Sequence, residues 1–379
     1  MNIILLFTYS VSLREWDYKG LIDREILLYR RLMENNHDVN FITYGGKEDL
    51  DIKGKIGNIK VFPVYERMKK SKHEIVNILK TFFIPFQLKD IFRAADIIKT
   101  NQMLGAWVGL IAKFVCRKKL IVRCGFEWYR NAYARRAKRW SFFKNTFAYI
   151  LEWLVYHYCD EIIVSNETDL EFIKSTFKIR GEKLNLIRNY VDTDIFKPLS
   201  SVKKEDSRLL YVGRFEPRKN ILNILKAIKD TPYSLDVVGY GEERVFLEDF
   251  VRENYLDVKF LGIIPNNKLP EVINKYNVLI LASLYENSPK VIIEAMSCGI
   301  AVIGADTPGI QEIIKHRENG FLCYTNILSI KRSIEAVMTD KALRDSIGAN
   351  GRKYVLENCS LDIALDKEMR VYKKLYKSE

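Results

Sequence analysis

The sequence feature that most constrains the fold is a strand–helix–strand unit in the last third of the chain. The runs Asn277–Ser283 and Ile300–Ala305 are short and almost wholly apolar, which predicts two buried strands. Between them, Ser288 can cap a short helix, Pro289 suits its first position and Gly299 suits its C-terminal exit. Since strand-like and helical patterns alternate along the chain, we predict an α/β fold with parallel sheets.

Two glutamates in this unit are poorly placed for a purely structural element. Glu286 lies in the loop after the first strand, and Glu294 lies inside the helix among the apolar residues of VIIEAM. A carboxylate among apolar groups is unfavourable unless another group hydrogen-bonds it. Both acids are therefore candidate functional residues.

Charge is concentrated in one part of the chain, whose 379 residues favour two domains. The net charge is +13, yet residues 51–150 alone hold 22 Lys and Arg against 6 Asp and Glu. That zone therefore carries +16 and the remainder −3. One basic zone on an otherwise balanced protein predicts a surface that faces an anionic partner.

Neither the cysteines nor the apolar runs indicate a secreted or membrane-spanning protein. The six cysteines form no CxxC pair, which favours reduced thiols in a cytosolic protein. The opening MNIILLFTYS has no basic leader, so we expect a first strand and not a signal peptide. No apolar run reaches the roughly 18 residues that a membrane-spanning helix needs.

The first half opens with a strand, a loop, a helix and a strand. Met1–Thr8 and Val39–Thr43 predict the strands, Leu21–Asn35 the helix, and the polar loop Tyr9–Lys19 leads to Gly20. Glycine at this turn would let a phosphate approach the backbone at a helix N-terminus, although one glycine also fits a plain turn.

Two segments of the basic zone, residues 69–93 and 128–158, mix bases with large apolar residues. Such segments can lie in a membrane interface, where each base near anionic lipid adds about 1 kcal/mol. The alternative is a helix that buries its aromatic residues in the core and leaves its bases in water. Stacking on nucleic acid is a third reading, but no recognition motif accompanies it, and we expect no nucleic acid partner. The residues expected on the membrane or acceptor side are Arg135, Arg136, Lys138, Arg139 and Trp140.

A basic turn opens the second half. The run Leu209–Val212 predicts a strand, and Arg214 and Lys219 follow it before a helix that Asn220 can cap. Open α/β sheets bind ligands at this edge, and cationic side chains near free backbone N–H groups suit a diphosphate. A solvated basic turn is the alternative. The polar stretch around Pro198 predicts a domain boundary near residue 195, giving domains 1–195 and 196–360 and an amphipathic C-terminal helix within 361–379.

Residues 185–325 contain a series of sequence pieces, in the order NLIRNYVDTDIFKP, YVGRFEPRKNI, VVGYGEER, and KFLGIIPNNKLPEVINKYNVLILASLYENSPKVIIEAMSCGIAVIGAD, followed by ENGFL. In these pieces and their order, the sequence resembles glycosyltransferase family 4, the large retaining group with the GT-B fold. Over residues 1–184 the resemblance is topological only. It implies two Rossmann-like domains whose parallel sheets face each other across a cleft, with the C-terminal helix packing back toward the first domain.

The resemblance also implies roles for individual residues. Arg214 and Lys219 would bind the diphosphate of a nucleotide-sugar donor, Glu294 would accept hydrogen bonds from the ribose, and Glu286 would be the catalytic residue beside the donor sugar. The other donor-binding residues would be Gly20 at the diphosphate, Ile263 near the base, and Ser288, Lys290 and Val291 at the helix N-terminus.

The sequence departs from the family pattern at several positions. Asn287 and Ser288 stand where many members have glycines, and Tyr190 stands where glycine is usual. Cys124 is the nearest candidate for a position that often carries histidine, so a histidine role does not transfer. None of the four histidines is a convincing base, and His157 fits a partly buried packing residue.

The expected activity is therefore transfer of a hexose from a UDP- or GDP-sugar to a lipid-linked glycan or a lipopolysaccharide- or capsule-type acceptor. No metal-ligand cluster is evident in the sequence, so we expect no metal cofactor, with charge matching stabilising the leaving diphosphate. On the resemblance we expect retention of configuration, by front-face displacement. The expected location is cytoplasmic, peripheral on the inner face of the cell membrane.

Two alternatives share this architecture. A nucleotide-sugar 2-epimerase would need catalytic acids and a histidine in the first domain, and the sequence does not supply that set. A non-catalytic member of an assembly complex would bind nucleotide or glycan without turnover. The presence of Arg214, Lys219, Glu286 and Glu294 argues against the second alternative.

Overall fold

A computed structural model describes residues 1–125, Tyr129 and residues 141–376. The chain forms two compact units, the first made of Met1–Ile187 with Leu365–Glu379 and the second of Arg188–Ala364. The units divide at 187/188, whereas the sequence predicts a boundary near 195. The linker belongs to the second unit because Val191 forms a parallel bridge with Ser360, and Arg188 lies 3.7 Å from Glu312.

The first unit is built on a parallel sheet of seven strands. They are β1 (Asn2–Leu6), β2 (Asp38–Thr43), β3 (Lys60–Pro63), β4 (Ile97–Thr100), β5 (Lys119–Cys124), β6 (Glu161–Val164) and β7 (Leu184–Leu186). Their spatial order is β3-β2-β1-β4-β5-β6-β7. Strands β1, β4 and β6 are buried along most or all of their length, as expected for a sheet covered on both faces.

Helices connect these strands. They are α1 (Leu13–Tyr18), α2 (Ile22–Glu25), α3 (Leu27–Glu34), α4 (Lys53–Ile56), α5 (Val64–Arg67), α6 (Glu74–Thr81), α7 (Ile84–Gln87), α8 (Lys89–Ala94), α9 (Ala106–Cys116), α10 (Ser141–Tyr158) and α11 (Glu167–Thr176). Short 3₁₀ turns occupy Lys47–Ile52 and Gly181–Lys183.

The opening of the chain is more helical than the sequence predicts. The stretch Tyr9–Lys19, expected to be a loop, contains α1, because the Ser12 hydroxyl accepts a hydrogen bond from the Glu15 N–H at 3.1 Å. This is an ordinary side-chain N-cap, and it supports a helix that buries Leu13 and Trp16. The single helix expected over residues 21–35 is divided into α2 and α3.

The second unit is built on a parallel sheet of six strands. They are β8 (Arg208–Val212), β9 (Ser234–Val238), β10 (Val258–Gly262), β11 (Val278–Leu281), β12 (Ala301–Ala305) and β13 (Phe321–Cys323). Their order, β10-β9-β8-β11-β12-β13, is the doubly wound arrangement. Strands β9 and β10 are added on one side of β8, and strands β11 to β13 are added on the other side. The predicted strand–helix–strand unit is present as β11 and β12, which pair in parallel.

The remaining helices cover this second sheet or follow it. They are α12 (Ile221–Ile228), α13 (Arg244–Glu253), α14 (Leu269–Ile273), α15 (Lys290–Ser297), α16 (Pro308–Gln311), α17 (Ile327–Thr339), α18 (Lys341–Asn358) and α19 (Leu361–Tyr376), with 3₁₀ turns at Pro217–Lys219 and Asn266–Lys268. From Leu365 onward α19 belongs to the first unit.

Candidate active site

The carboxyl ends of β8 and β11 carry the predicted donor-binding residues of the second unit. These strands are neighbours, and the connections that leave them run to opposite sides of the sheet. Ligands of doubly wound proteins bind at such a switch point. Arg214 and Lys219 follow β8, while Glu286 follows β11, so the fold places the basic turn next to the acidic loop.

Lys219 and Glu286 form an ion pair across the switch point. The Lys219 Nζ donates to Oε1 of Glu286, and the two side chains are only 12 % and 9 % exposed. The backbones of the two loops are also joined, because the Leu284 N–H donates to the Arg218 carbonyl at 2.8 Å. The pair therefore lies within a rigid, largely buried junction of the two loops.

Glu216, which the sequence did not single out, organises the two arginines of the basic turn. Its two carboxylate oxygens lie 2.7 Å from Nη1 of Arg214 and 2.7 Å from Nε of Arg218. Partial burial raises the pKa of Glu216, but the hydrogen bond from Arg218 and the nearby positive charges outweigh burial and lower it. Glu216 is thus held as a carboxylate, and Arg214 remains half exposed, at 53 %.

Asn220 joins three strand ends at this edge. It stands at the N-cap position of α12 with a left-handed backbone (φ 59°). The sequence predicts that its side chain caps the helix, but the side chain makes no capping hydrogen bond. Its Nδ2 instead donates to the carbonyls of Ala282, at 3.0 Å, and Thr325, at 2.9 Å. The ends of β8, β11 and β13 are tied together by this one amide.

The helix that follows Glu286 begins one residue later than the sequence predicts. Pro289 occupies the N-cap position, α15 starts at Lys290, and no side chain caps the helix, so the Ser288 cap is wrong. The reason is that the Ser288 carbonyl is held by Asn189, whose Nδ2 donates to it at 2.8 Å. Lys290 and Val291 form the first turn of α15, at the positively polarised end of the helix.

Glu294 is buried on α15, as its apolar neighbours predict, and is 2 % exposed. The amide of Asn266 donates to its Oε1 at 3.0 Å. Asn266 lies in the turn after β10, close in sequence to Ile263, which is 42 % exposed. The sequence identified Glu294 but not Asn266, because nothing local links residues so far apart in the chain.

The Glu286 loop has a close backbone contact at Gly309, and two buried hydroxyl groups without partners in the described part of the chain lie after the neighbouring strands. A Cβ at Gly309 would lie 2.2 Å from the Glu286 carbonyl oxygen and 2.3 Å from that of Asn287, so α16 packs directly on this loop. The hydroxyls of Ser283 and Thr307, after β11 and β12, are buried with no hydrogen-bond partner among the described residues. Buried hydroxyls without partners are uncommon and are suited to a bound polar ligand.

The remaining predicted residues lie in the first unit or outside the described residues. Gly20 precedes α2 with a left-handed backbone (φ 65°), and its N–H donates to the Asp17 carbonyl at 2.9 Å. Cys124 is buried at the end of β5. The predicted membrane-side residues Arg135, Arg136, Lys138, Arg139 and Trp140 lie outside the described residues.

Two kinds of feature are absent from the described residues. Within residues 1–125, 129 and 141–376, no three His, Cys, Asp or Glu side chains are grouped so that they could hold a metal ion. Within the same part of the chain, no helix has the length and apolar character needed to cross a bilayer.

Solved structures with the same two-domain architecture define the fold. Sucrose-phosphate synthase from Thermosynechococcus elongatus matches over 100 % of both chains with a TM-score of 0.76 and 19 % identity. Anabaena HepE, solved in complex with UDP, matches over 99 % of this chain and 100 % of that chain, with a TM-score of 0.76 and 17 % identity. The protein therefore has the GT-B fold of glycosyltransferases, as the resemblance implies.

Sequence comparison identifies the family. The family model for glycosyltransferase family 4 matches residues 26–195, and that for glycosyl transferases group 1 matches residues 192–354. An uncharacterised glycosyltransferase of Methanocaldococcus jannaschii is 25 % identical, over 96 % of this chain and 98 % of that protein. The chain belongs to the family 4, group 1 glycosyltransferases and is a glycosyltransferase.

One further relative has a name that specifies its sugar and its substrate. The N-acetylgalactosamine-N,N'-diacetylbacillosaminyl-diphospho-undecaprenol 4-alpha-N-acetylgalactosaminyltransferase of Campylobacter jejuni is 25 % identical, over 74 % of this chain and 77 % of that protein.

Proposed function

We propose that the protein transfers a hexose, with retention of configuration, from a UDP- or GDP-sugar to a lipid-linked glycan or a lipopolysaccharide- or capsule-type acceptor. The observation that carries the donor half is the cluster at the switch point of the second unit. There Lys219 pairs with Glu286, and Arg214, which follows the carboxyl end of β8, remains half exposed. HepE, which has the same fold, was solved with UDP, which supports a uridine donor.

In the proposed complex, the donor diphosphate is held by Arg214 and Lys219 together with backbone N–H groups around Ser288, Lys290 and Val291. Guanidinium, ammonium and helix N-terminal groups all match phosphate charge. Glu294 accepts hydrogen bonds from the ribose, and Ile263 lies near the base.

The proposed chemistry is a front-face displacement with Glu286 beside the donor sugar. The acceptor hydroxyl oxygen forms a bond to the anomeric carbon while the bond from that carbon to the diphosphate oxygen breaks. The acceptor proton passes to the departing phosphate oxygen. Preorganised cationic groups stabilise the charge that develops on this oxygen, in place of a metal ion. Turnover that persists in excess EDTA supports this, and loss restored by Mg²⁺ contradicts it.

The proposed acceptor is lipid-linked, and the proposed location is the inner face of the cell membrane. The Campylobacter jejuni relative is named for an undecaprenol-linked substrate, and this chain has a basic zone suited to anionic lipid. Both observations support a membrane-bound acceptor.

Donor identity is tested by thermal unfolding in the presence of UDP-, GDP- and ADP-sugars. A ligand that binds only the folded protein raises the unfolding midpoint as its concentration rises. We expect a UDP- or GDP-sugar to raise it most. An ADP-sugar that raises it more, or no shift with any nucleotide sugar, contradicts the proposed donor.

Transfer is tested by following nucleoside diphosphate release with and without a membrane lipid extract. Release that requires the extract, with label from the sugar appearing in the lipid fraction, supports the transferase. Conversion of the donor to an epimer without any acceptor would instead identify the 2-epimerase alternative.

A further inference from the structure

Helix α6 buries polar side chains and exposes apolar ones, which is the reverse of an ordinary surface helix. Asn77 and Thr81, one turn apart, are buried at 3 % and 2 % exposure. Both are satisfied inside the protein, because Asn77 exchanges two hydrogen bonds with the backbone of Ser71 and the Thr81 hydroxyl accepts one from the Trp107 indole at 2.9 Å. The polar face is therefore the packed face.

The opposite face of α6 and the start of α7 are apolar and exposed. We name this the α6–α7 face, which consists of Ile75, Leu79, Phe83 and Phe86, with exposures of 74, 58, 61 and 53 %. Single exposed apolar residues are common on proteins, but four large ones within twelve residues form a patch. Such a patch indicates a surface that contacts an apolar partner.

The segment that carries this face is rich in basic residues. Residues 67–93 hold seven bases and two acids, and the bases are Arg67, Lys69, Lys70, Lys72, Lys80, Lys89 and Arg93. Both acids already have partners, because Glu74 accepts a hydrogen bond from the Tyr9 hydroxyl at 2.6 Å and Asp90 lies 3.2 Å from Arg67. The excess positive charge suits an anionic surface.

A second group of exposed apolar residues lies on the same layer of helices. Phe147, Ile150 and Tyr158 on α10, each 49 % exposed, lie with Phe114 on α9, whose ring contacts that of Tyr158 at 6.0 Å. Helix α9 packs against α7, α8 and α10. Right-handed crossovers also place the helices between β3 and β7 on one face of this sheet.

We propose that the α6–α7 face is the surface by which the first unit docks on an anionic lipid bilayer. Ile75, Leu79, Phe83 and Phe86 would insert into the interface, and the bases of residues 67–93 would lie at the phosphate level. This deepens the proposed function, on which it rests for the membrane-bound acceptor, and it assigns the contact to described residues other than the segment 135–140.

Charge favours a bilayer over a second copy of the chain. A two-fold dimer would bring the same face of both copies together, and with it both sets of bases. Like charges placed opposite each other disfavour such an interface. An anionic bilayer instead complements the bases and the apolar side chains at once.

The docking face is tested with full-length protein and vesicles of mixed phosphatidylglycerol and phosphatidylcholine. Leu79→Ser/Phe83→Ser is compared with the matched control Val245→Ser/Phe246→Ser on α13, where the wild-type side chains are similarly exposed, at 68 and 52 %. We expect the first variant to lower vesicle affinity about tenfold or more, since less apolar area is buried, and the control to leave it unchanged. Unchanged affinity of the first variant, or an equal loss in the control, overturns the proposal.

A donor readout separates loss of docking from loss of folding. The UDP-induced rise in unfolding midpoint is expected to be the same in wild type and both variants, because neither pair lies at the donor site. Loss of that rise in the Leu79→Ser/Phe83→Ser variant, together with loss of vesicle binding, shows general damage to folding and counts against a specific docking role.

Further outcomes distinguish this inference from the proposed function. If neutralising Arg135, Arg136, Lys138 and Arg139 abolishes vesicle binding while Leu79→Ser/Phe83→Ser does not, the α6–α7 face is wrong and membrane association stands. If the protein binds vesicles through the α6–α7 face but binds no nucleotide sugar, the proposed function is contradicted and the proposed docking face is supported. A concentration-dependent dimer in sedimentation velocity, lost only in Leu79→Ser/Phe83→Ser, would overturn docking in favour of an interface between two copies.

Discussion

Lys219 and Glu286 are paired with each other, which affects how each can meet a donor. Both side chains are mostly buried, so their attraction is screened less than that of a surface pair. A diphosphate that binds Lys219 must compete with the Glu286 carboxylate for the ammonium group. Removing Glu286 therefore frees the Lys219 ammonium to bind the phosphate. Removing Glu294 frees the neutral amide of Asn266, so the loss of donor affinity is not compensated in this way.

The two glutamates should consequently differ in their mutant behaviour. We expect Glu294→Ala to weaken UDP or GDP binding by about 1.5–3 kcal/mol, the range for a lost hydrogen bond to a charged group. Glu286→Ala should reduce turnover strongly while leaving nucleoside diphosphate affinity unchanged or higher. Calorimetric titration with free nucleotide and single-turnover kinetics measure the two effects. Equal losses of nucleotide affinity in both variants would contradict these roles.

The functional residues that can be predicted from the sequence are those whose character conflicts with that of their neighbours. Glu294 was evident because a carboxylate stands in an apolar helix. Glu216, Asn220 and Asn266 were not evident, because polar residues in turns are ordinary. Their importance comes from partners such as Thr325, which only folding brings near.

At the scale of elements, the Glu286 loop is held by packing as well as by charge. The first turn of α16 lies so close that only a hydrogen fits at Gly309 between it and the carbonyls of Glu286 and Asn287. Any side chain there must move one of the two backbones. The position of Glu286 therefore depends on a helix from another part of the second unit.

Gly309→Ala tests this dependence. We expect displacement of the Glu286 loop to cost about 1–3 kcal/mol of stability, the range for overpacking, and to reduce donor affinity and turnover. The matched control is Gly54→Ala in α4, where the added methyl meets no atom within 4 Å. Thermal unfolding and UDP titration measure both. Wild-type donor affinity in Gly309→Ala would show that α16 does not position the loop.

Element boundaries show where local signals compete with tertiary contacts. The sequence predicts a helix that Ser288 caps and that begins at Pro289, yet Asn189 binds the Ser288 carbonyl and α15 begins at Lys290. In the stretch Tyr9–Lys19, the Ser12 cap of α1 is a local signal that favours a helix where the apolar pattern predicts a loop.

At the scale of the whole molecule, a buried ion pair fastens the C-terminal helix to the first unit. The Lys99 ammonium on β4 donates to Oε1 of Glu368 on α19 at 2.7 Å, with exposures of 0 and 1 %. The Tyr372 hydroxyl donates to the other carboxylate oxygen. The last helix of the chain is thus held in the first unit by a buried hydrogen-bonded ion pair.

Breaking this network on one side should be costly. Glu368→Ala leaves a buried ammonium without its partner, and we expect a loss of about 3–5 kcal/mol of unfolding free energy. Replacing the network with apolar groups, in Lys99→Met/Glu368→Leu/Tyr372→Phe, should recover a large part of that loss. Chemical denaturation measures both variants. A triple variant that is less stable than Glu368→Ala would contradict this account.

The same pair predicts a pH dependence of stability. Burial lowers the pKa of Lys99 to about 8, although the charge of Glu368 opposes the shift. The unfolded value is about 10.4, so between about pH 8 and pH 10 the unfolded chain binds more protons at this group. Unfolding free energy should therefore rise with pH in this window. Wild type should gain on the order of 1 kcal/mol relative to the triple variant, and a relative loss would contradict the sign.

The architecture, the family and the two carboxylates Glu286 and Glu294 could be predicted from the sequence, because apolar runs and residues that conflict with their neighbours are local signals. Tertiary structure alone decided the pairing of Lys219 with Glu286, the Asn266 partner of Glu294 and the Lys99–Glu368 link. Each joins residues far apart in the chain. Tertiary structure also decided which face of α6 is buried, because Asn77 and Thr81 pack inward only where Ser71 and Trp107 can satisfy them.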